Sequence, residues 1–352
     1  MTARQAGGSW AEARARHSAF WRRDEAHEPI VGDKRTDAFL LGGFPLPEDD
    51  RPILPEDIDV EAAVEWAEGL FHAGGAGEGG GFLDGDLVWG APPVPGIPWS
   101  EAIMGCPIHY SRESGSLWAE SWLDDWDRME SVLPLSENRW YGKLVEITRA
   151  FVRASAGRYP VTQTVTRCPS EVMTAMRGYE RLCLDFFDSP DQVERLAAFC
   201  TDVWIEAASS LFEILPPFDG GYPAPRLEVW APGRLVRMEE DAVILFSPET
   251  YRRFFREPDR RIAAAFEYSL FHTHSGDTKI VSELVGIEEL SGIQVSIDPS
   301  GPHYTELIPM LRGVQEAGKA LLVTHELPDE DVQVIAGSLS PDGLALERMR
   351  SV

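Results

Sequence analysis

Tyr268-Ser269-Leu270-Phe271-His272-Thr273-His274-Ser275, Gly292-Ile293-Gln294-Val295-Ser296-Ile297 and Lys319-Ala320-Leu321-Leu322-Val323-Thr324 decide how this chain folds. Each is a short run that reads as a strand, and each ends in residues that can do chemistry. Strand side chains alternate in direction, so His272 and His274 point the same way. In the second run Ile293, Val295 and Ile297 share one face, and Gln294, Ser296 and then Asp298 the other. The third run delivers His325 and Glu326. Between the strands, residues 278–285 and 304–317 read as helices. From His274 to Asp298 is 24 positions and from Asp298 to His325 is 27, close to the roughly 30 residues per strand-helix unit of a (β/α)8 barrel of about 250 residues. Repeated units of this kind favour parallel strands. The spacing therefore predicts an α/β chain built as a (β/α)8 TIM barrel, in which residues just past each strand converge on one face, where such barrels place their active sites.

The bulk properties bound the function loosely. A chain of 352 residues, 43% of them apolar, can bury a full core and fits one large barrel or two ordinary domains. Acidic residues number 58 against 32 basic ones, a net charge of −26. Long-range repulsion then opposes nucleic acid and anionic membrane surfaces as partners, and leaves a small-molecule substrate as the expected one. An anionic ligand would need a local basic pocket. No apolar run approaches the roughly 18 residues of a spanning helix, and the N-terminus lacks a signal peptide's apolar core, so the expected location is cytoplasmic. Cys106, Cys168, Cys183 and Cys200 are too scattered for a CxxC metal clip and read as reduced, buried thiols.

In chain order, Ser9 can cap a helix reaching about Trp21, with Trp10, Ala13, His17, Phe20 and Trp21 on one stripe: a lid or a brace. A Pro-rich connection follows at Phe44-Pro45-Leu46-Pro47, then a helix from about Asp59 to Phe71. Residues 1–95 form a helical and loop extension packed on a barrel at 96–352 in this reading. The GxGxxG at Gly75 to Gly80 lacks the preceding strand and following helix that a dinucleotide site requires, and reads as a loop. Ser136 is the expected cap of a helix ended by Gly157, and Tyr159 to Val165 is an expected strand leading to Arg167. Ser189-Pro190 opens the longest helix, to about Leu215. Arg226 to Trp230 reads as a short strand, and Ser247-Pro248-Glu249 as another helix start. Glu239, Glu240 and Asp241 read as a solvated acidic face.

A series of short signatures carries a family resemblance: Trp140-Tyr141-Gly142-Lys143-Leu144, Gly157-Arg158-Tyr159-Pro160-Val161, Met176-Arg177-Gly178, Asp188-Ser189-Pro190, Gly220-Gly221-Tyr222, Trp230-Ala231-Pro232-Gly233, Ser247-Pro248-Glu249, Phe271-His272-Thr273-His274-Ser275 and Gly292-Ile293-Gln294-Val295. In this order, from about Pro98 to the C-terminus, they resemble the uroporphyrinogen decarboxylase superfamily, in particular its branch related to methylcobalamin:coenzyme M methyltransferases. The resemblance implies a (β/α)8 barrel and, in the methyltransferase branch, zinc held by a His-x-Cys pair and a later Cys. The corresponding positions here are His272, His274 and His325, imidazoles in place of thiolates. It also implies an acidic pocket residue near Asp241. The decarboxylase branch opens with a strand and Arg-Gln-Ala-Gly-Arg. Arg4-Gln5-Ala6-Gly7-Gly8 has no strand before it and lacks the second arginine, and the catalytic aspartate segment has no counterpart.

Three neutral imidazoles leave Zn²⁺ its full charge and an open position, suited to polarising an oxygen or lowering the pKa of water or a thiol. If Asp298 or Glu326 replaces one histidine, the set becomes two His and a carboxylate, which also admits iron. Asp298 and Glu326 are the candidate catalytic carboxylates, with Asp298 as acid/base, as a partner orienting a ligand, or as a turn cap. Arg167 reads as an anion clamp or an ion pair, and Tyr222 and Trp230 as stacking or packing residues. The leading expectation is a zinc-dependent methyltransferase acting between a corrinoid (cobalamin) and a thiol or other small acceptor. The chain lacks the Asp-x-His-x-x-Gly signature of corrinoid carriers, so the corrinoid arrives free or on a separate carrier protein. The alternatives are a decarboxylase or lyase acting on a carboxylated tetrapyrrole, and a non-catalytic corrinoid- or tetrapyrrole-binding barrel.

Overall fold

Six parallel strands make the main sheet: β1 (Ile30–Arg35), β2 (Leu235–Glu239), β3 (Tyr268–His274), β4 (Gly292–Ser296), β5 (Ala320–His325) and β6 (Leu344–Arg350), in the spatial order β1-β6-β5-β4-β3-β2. The structure is a computed structural model that describes residues 9–24, 28–35, 44, 46, 51–73, 82–111 and 113–350. The GxGxxG loop and the Arg4–Gly8 segment lie outside the described residues. The helices of seven residues or more are α1 (Trp10–Arg22), α2 (Val60–Ala73), α3 (Arg139–Ser155), α4 (Pro169–Arg177), α5 (Tyr179–Asp188), α6 (Pro190–Phe212), α7 (Pro248–Phe254), α8 (Arg256–Ala264), α9 (Tyr304–Glu316) and α10 (Asp329–Ser338).

Alternation along the strands divides the sheet into two unlike faces. Val236, Met238, Phe271, Ile293, Val295, Leu321, Val323, Leu344 and Leu346 share one core with Leu307, Leu311 and Val314 of α9 and with Val193 and Leu196 of α6. Burying each such side chain stabilises the fold by about 1.5–3 kcal/mol. The opposite face begins apolar, where Leu235, Leu270, Leu322 and Ala345 meet Phe20 and Trp21 of α1. Toward the C-terminal ends of the strands it becomes polar. Lys34, Arg237, Glu239, His272, Gln294, Thr324 and Glu347 lie there, all buried. Buried charge has to be paired, and it is: Arg237 Nη2 lies 2.5 Å from Glu239 Oε2, while Lys34 Nζ lies 3.4 Å from Glu228 Oε2 and 3.3 Å from Glu347 Oε2.

Helix α1 is a brace. Its capping box is complete, with Ser9 Oγ accepting from the Glu12 N–H and the Glu12 carboxylate accepting from the Ser9 N–H at 3.0 Å. Ala13, His17, Phe20 and Trp21 are buried, as the stripe predicts. The Trp21 ring stands 5.1 Å from Tyr268, the first residue of β3, so the helix closes the N-terminal end of the sheet. His17 is tied at both nitrogens: the Trp230 N–H donates to Nδ1 at 3.1 Å, and Nε2 lies 2.8 Å from Asp86 O.

Several expectations are corrected. The helix read from Ser136 starts at Arg139, and Asn138 Oδ1 caps it by accepting from the Tyr141 N–H at 3.0 Å. Tyr159 to Val165 makes no regular strand: Val161 forms a single parallel bridge with Ala91, backed by Thr162 N–H to Ala91 O at 3.1 Å. Arg226 to Trp230 is not a strand either, because Arg226 turns the chain at φ 58° and only Trp230–Ala231 pairs, with Tyr222–Pro223. Glu239 and Glu240 are buried, since Glu239 ends β2 on the polar face. The segment assigned to the N-terminal extension contributes β1, which pairs with β6 over its full length. Two further contacts extend the strand pattern, Asp86 N–H to Val31 O at 3.0 Å and Cys168 N–H to Glu239 O at 2.9 Å.

The His17 brace has a pH signature. Burial lowers its pKa from the ordinary 6.5 to about 4. The unfolded chain therefore binds a proton below 6.5 that the folded chain refuses until about 4, and the stability His17 contributes is lost as pH falls through that window. In urea titrations the wild type should lose about 3 kcal/mol more between pH 7 and pH 4 than a His17→Gln variant.

Candidate metal centre

Strand β3 ends in the two histidines that alternation places on the polar face. His272 is buried, while 41% of the His274 side chain is exposed. Their Nε2 atoms are 3.1 Å apart. Asp241, which opens the turn after β2, brings Oδ1 to 3.8 Å from each Nε2. Asp241, His272 and His274 form a group that can hold a metal ion, and among the described residues it is the one group of three or more such side chains. Donors about 2.0–2.2 Å from a tetrahedral metal stand about 3.3–3.6 Å from one another, so separations of 3.1, 3.8 and 3.8 Å need adjustments of only a few tenths of an ångström.

The protons of the two rings make the stronger case. His274 Nδ1 lies 2.9 Å from Asp298 Oδ1, and a carboxylate only accepts, so Nδ1 carries the hydrogen. Asp298 is itself fixed by its N–H to Ser275 Oγ at 2.9 Å. His272 Nδ1 contacts Gln294 Oε1. With Thr324 Oγ1 donating to the Glu347 carboxylate at 2.7 Å, the Gln294 amide nitrogen donates to Thr324 Oγ1 at 2.9 Å and to Ser296 Oγ at 3.1 Å, and its oxygen accepts from His272. With both Nδ1 atoms donating, the rings, when uncharged, turn bare Nε2 lone pairs toward each other and toward a carboxylate. Such a cluster requires a cation or a shared proton at its centre. Burial first, and Arg237 next, lower the His272 pKa to about 3, which keeps this ring neutral and available as a ligand. Burial and the Glu239 charge raise Asp241, so its carboxyl gains most from a neighbouring cation.

His325, expected as the third ligand, is not part of the group. Thr324 reaches into the polar face, so the next residue along β5 points to the other side. There His325 is 1% exposed, faces Arg348 in the β6 register and accepts the Leu327 N–H at Nδ1, 3.2 Å away. Burial and Arg348 lower its pKa to about 4. Glu326 is exposed at the strand end. Trp230 and Tyr222 are packing residues: the Trp230 indole donates to Phe218 O at 2.9 Å and meets Trp10 of α1, and Tyr222 packs edge-on against Phe212. Arg167 borders the centre but is engaged, 2.7 Å from Glu101 and 3.9 Å from Glu239. No thiolate is at hand, because all four cysteines are free and burial pushes the thiols of Cys106, Cys168 and Cys200 up.

The sequence pattern missed Asp241 as a ligand and the roles of Arg237, Glu239, Thr324 and Glu347. Alternation along Leu235-Val236-Arg237-Met238-Glu239 was the available signal, since it sets two apolar residues against two charged ones. No family model matches the chain, and no curated protein matches its sequence.

The geometry fixes the outcome of ligand substitutions. His272→Ala, His274→Ala and Asp241→Asn should each abolish stoichiometric metal in chelator-competition titrations, while His325→Ala should retain it. Asp298→Asn should weaken binding about 10–100-fold, as loss of a partner that orients a ligand does.

Proposed function

We propose that this chain is a metal-dependent enzyme built on a closed (β/α)8 barrel, with zinc on His272, His274 and Asp241, and that it moves a methyl group between a corrinoid and a thiol or other small acceptor. The observation that carries the metal reading is the pair of Nε2 lone pairs 3.1 Å apart with a carboxylate beside them. The methyl-transfer reading adds the motif resemblance, in which the His272 and His274 positions are those of the metal ligands. Barrel closure is supported by the backbone contacts of Ala91 with Val161, Asp86 with Val31 and Cys168 with Glu239, which continue the parallel pattern beyond the six strands.

Held by His272, His274 and Asp241, zinc would supply a Lewis acid able to lower the pKa of a thiol or water. The chain's own residues do the rest. Asp298 holds the His274 ring by its Nδ1 proton, and Gln294 does the same for His272. The exposed sides of His274 and Asp241 leave an approach for the acceptor. A recess of about 640 Å³ lined by Trp122, Arg128, Arg177 and Tyr179 has room for a small molecule. Ile244 and Leu245, in the same turn as Asp241, are exposed and offer apolar side chains to a separate corrinoid carrier.

Iron is the second metal reading, favoured because a carboxylate rather than a third imidazole completes the set. Decarboxylation of a carboxylated tetrapyrrole is weakened by Arg167, whose guanidinium already faces Glu101 and Glu239. The test combines metal analysis with methylcobalamin demethylation followed by visible spectra over a panel of thiols. The expected result is about one equivalent of zinc and thiol-dependent demethylation that disappears in Asp241→Asn. A zinc-loaded protein inert toward every thiol would remove the transferase reading, and a chain that takes up no metal on reconstitution would remove the metalloenzyme.

A further inference from the structure

The Gln294 amide selects which nitrogen of His272 carries the proton, and its own orientation is set by residues that touch no ligand. Strands β3, β4, β5 and β6 lie side by side, with Gln294 opposite His272, Ser296 opposite Thr324 and Thr324 opposite Glu347. Their polar side chains connect in one row: His272 Nδ1 to Gln294 Oε1, Gln294 Nε2 to Thr324 Oγ1 at 2.9 Å, and Thr324 Oγ1 to Glu347 Oε2 at 2.7 Å. We propose that Thr324 and Glu347 are positioning residues, which orient the Gln294 amide and so hold His272 in the tautomer that leaves Nε2 unprotonated. The consequence for metal binding rests on the metal-centre reading; the tautomer itself does not.

Donors and acceptors fix the direction of the row. Ser296 is indifferent, because its hydroxyl can rotate to give or receive. Thr324 is not. The groups facing Glu347 are Lys34 from β1, whose Nζ is 3.3 Å away, and Glu228, whose N–H donates to Oε1 at 3.2 Å and whose carboxylate meets Lys34 and hydrogen-bonds the Glu347 carboxyl side chain to side chain. Arg226 stands in the same field. With Glu347 ionised, Thr324 donates its only proton there and offers Gln294 lone pairs alone. The amide must then present N–H to Thr324 and oxygen to His272.

Protonation of Glu347 reverses the row. When the acid gives its proton to Thr324 rather than to the neighbouring Glu228 carboxylate, the threonine hydroxyl donates to Gln294 Oε1, and the flipped amide donates to His272 Nδ1. The ring proton then sits on Nε2, in the ligating position. Burial pushes Glu347 up, Lys34 pulls it back and Glu228 pushes it further, to about 8. The reversal therefore falls near neutral pH, with the ligating tautomer favoured on the alkaline side.

The experiment reads the tautomer directly in metal-free protein, by nitrogen-15 NMR of labelled histidine, with His272 assigned through a His272→Gln variant. In the wild type, the Nδ1–H form should gain as pH is raised from about 7 to about 9. Thr324→Val keeps the shape, removes the hydroxyl and should erase this response, and Thr324→Ser should restore it. An unchanged tautomer balance and pH response in a folded Thr324→Val protein overturns the proposal. Zinc affinity is read separately by chelator competition, where Thr324→Val should bind about 10–100-fold more weakly at pH 9. If the wild type binds no zinc yet the tautomer still follows Thr324, the metal reading fails and the positioning role stands.

Discussion

The alternation of side chains across a parallel sheet is the constraint on which the rest depends. It gives the helices a continuous apolar surface through Val236, Phe271, Ile293, Val295, Leu321, Val323 and Leu346, and it sends every second residue to a face the helices do not cover. There the apolar residues are confined to the N-terminal ends of the strands, where Phe20 and Trp21 of α1 seal them. Beyond that seal the face is ionic. Removing ions from water costs several kcal/mol each, and paired buried charges at best offset that cost. An apolar face of the same volume would be at least as stable. The ion pairs of Lys34, Glu228 and Glu347 and of Arg237 and Glu239 are thus better explained by what they hold in place than by stability.

What they hold is the pair of imidazoles on β3. A buried imidazole can stay neutral and expose one lone pair, and two of them meeting edge-on with Nε2 atoms 3.1 Å apart need a cation or a shared proton between them. The same burial that lowers the His272 pKa makes the ring a better ligand than acid at ordinary pH. Asp298 and Gln294 come from the neighbouring strand and the turn after it, so the geometry of the centre is inherited from β3–β4 register rather than from a flexible loop.

Much of this was legible in the sequence, and the rest was hidden for a physical reason. Strands β3, β4 and β5, the shared direction of His272 and His274, and the common face of Gln294, Ser296 and Asp298 all follow from period-two patterning over apolar runs. Strands β1, β2 and β6 go unread although β2 carries the alternation, because Lys34, Arg237, Glu239 and Glu347 put buried charge on a strand face that reads as solvated. The same polar face misdirects the reading of Glu239 and Glu240 as solvated. His325 fails as a ligand for a reason the pattern contains: it is adjacent to Thr324, and two consecutive strand residues cannot face the same side. Asp241 lies past the end of β2, where alternation stops, and only the fold brings it to the histidines.

The three donors are therefore unequal. His272 and His274 sit on a strand hydrogen-bonded on both sides, with their outer nitrogens already occupied, so little ordering remains when they ligate. Asp241 belongs to the turn Asp241–Leu245, anchored by Ala242 N–H on Glu171 and by Val243 N–H on Glu240 O at 3.2 Å. Burial pushes the carboxyls of Glu171 and Glu240 well up. Burial, with the Glu239 charge after it, raises the Asp241 carboxyl as well. A pair of preorganised imidazoles with a carboxylate ready to close over them is an arrangement in which the protein fixes position first and charge last. That ordering lets a centre select a metal by geometry while its exposed side stays open to a substrate.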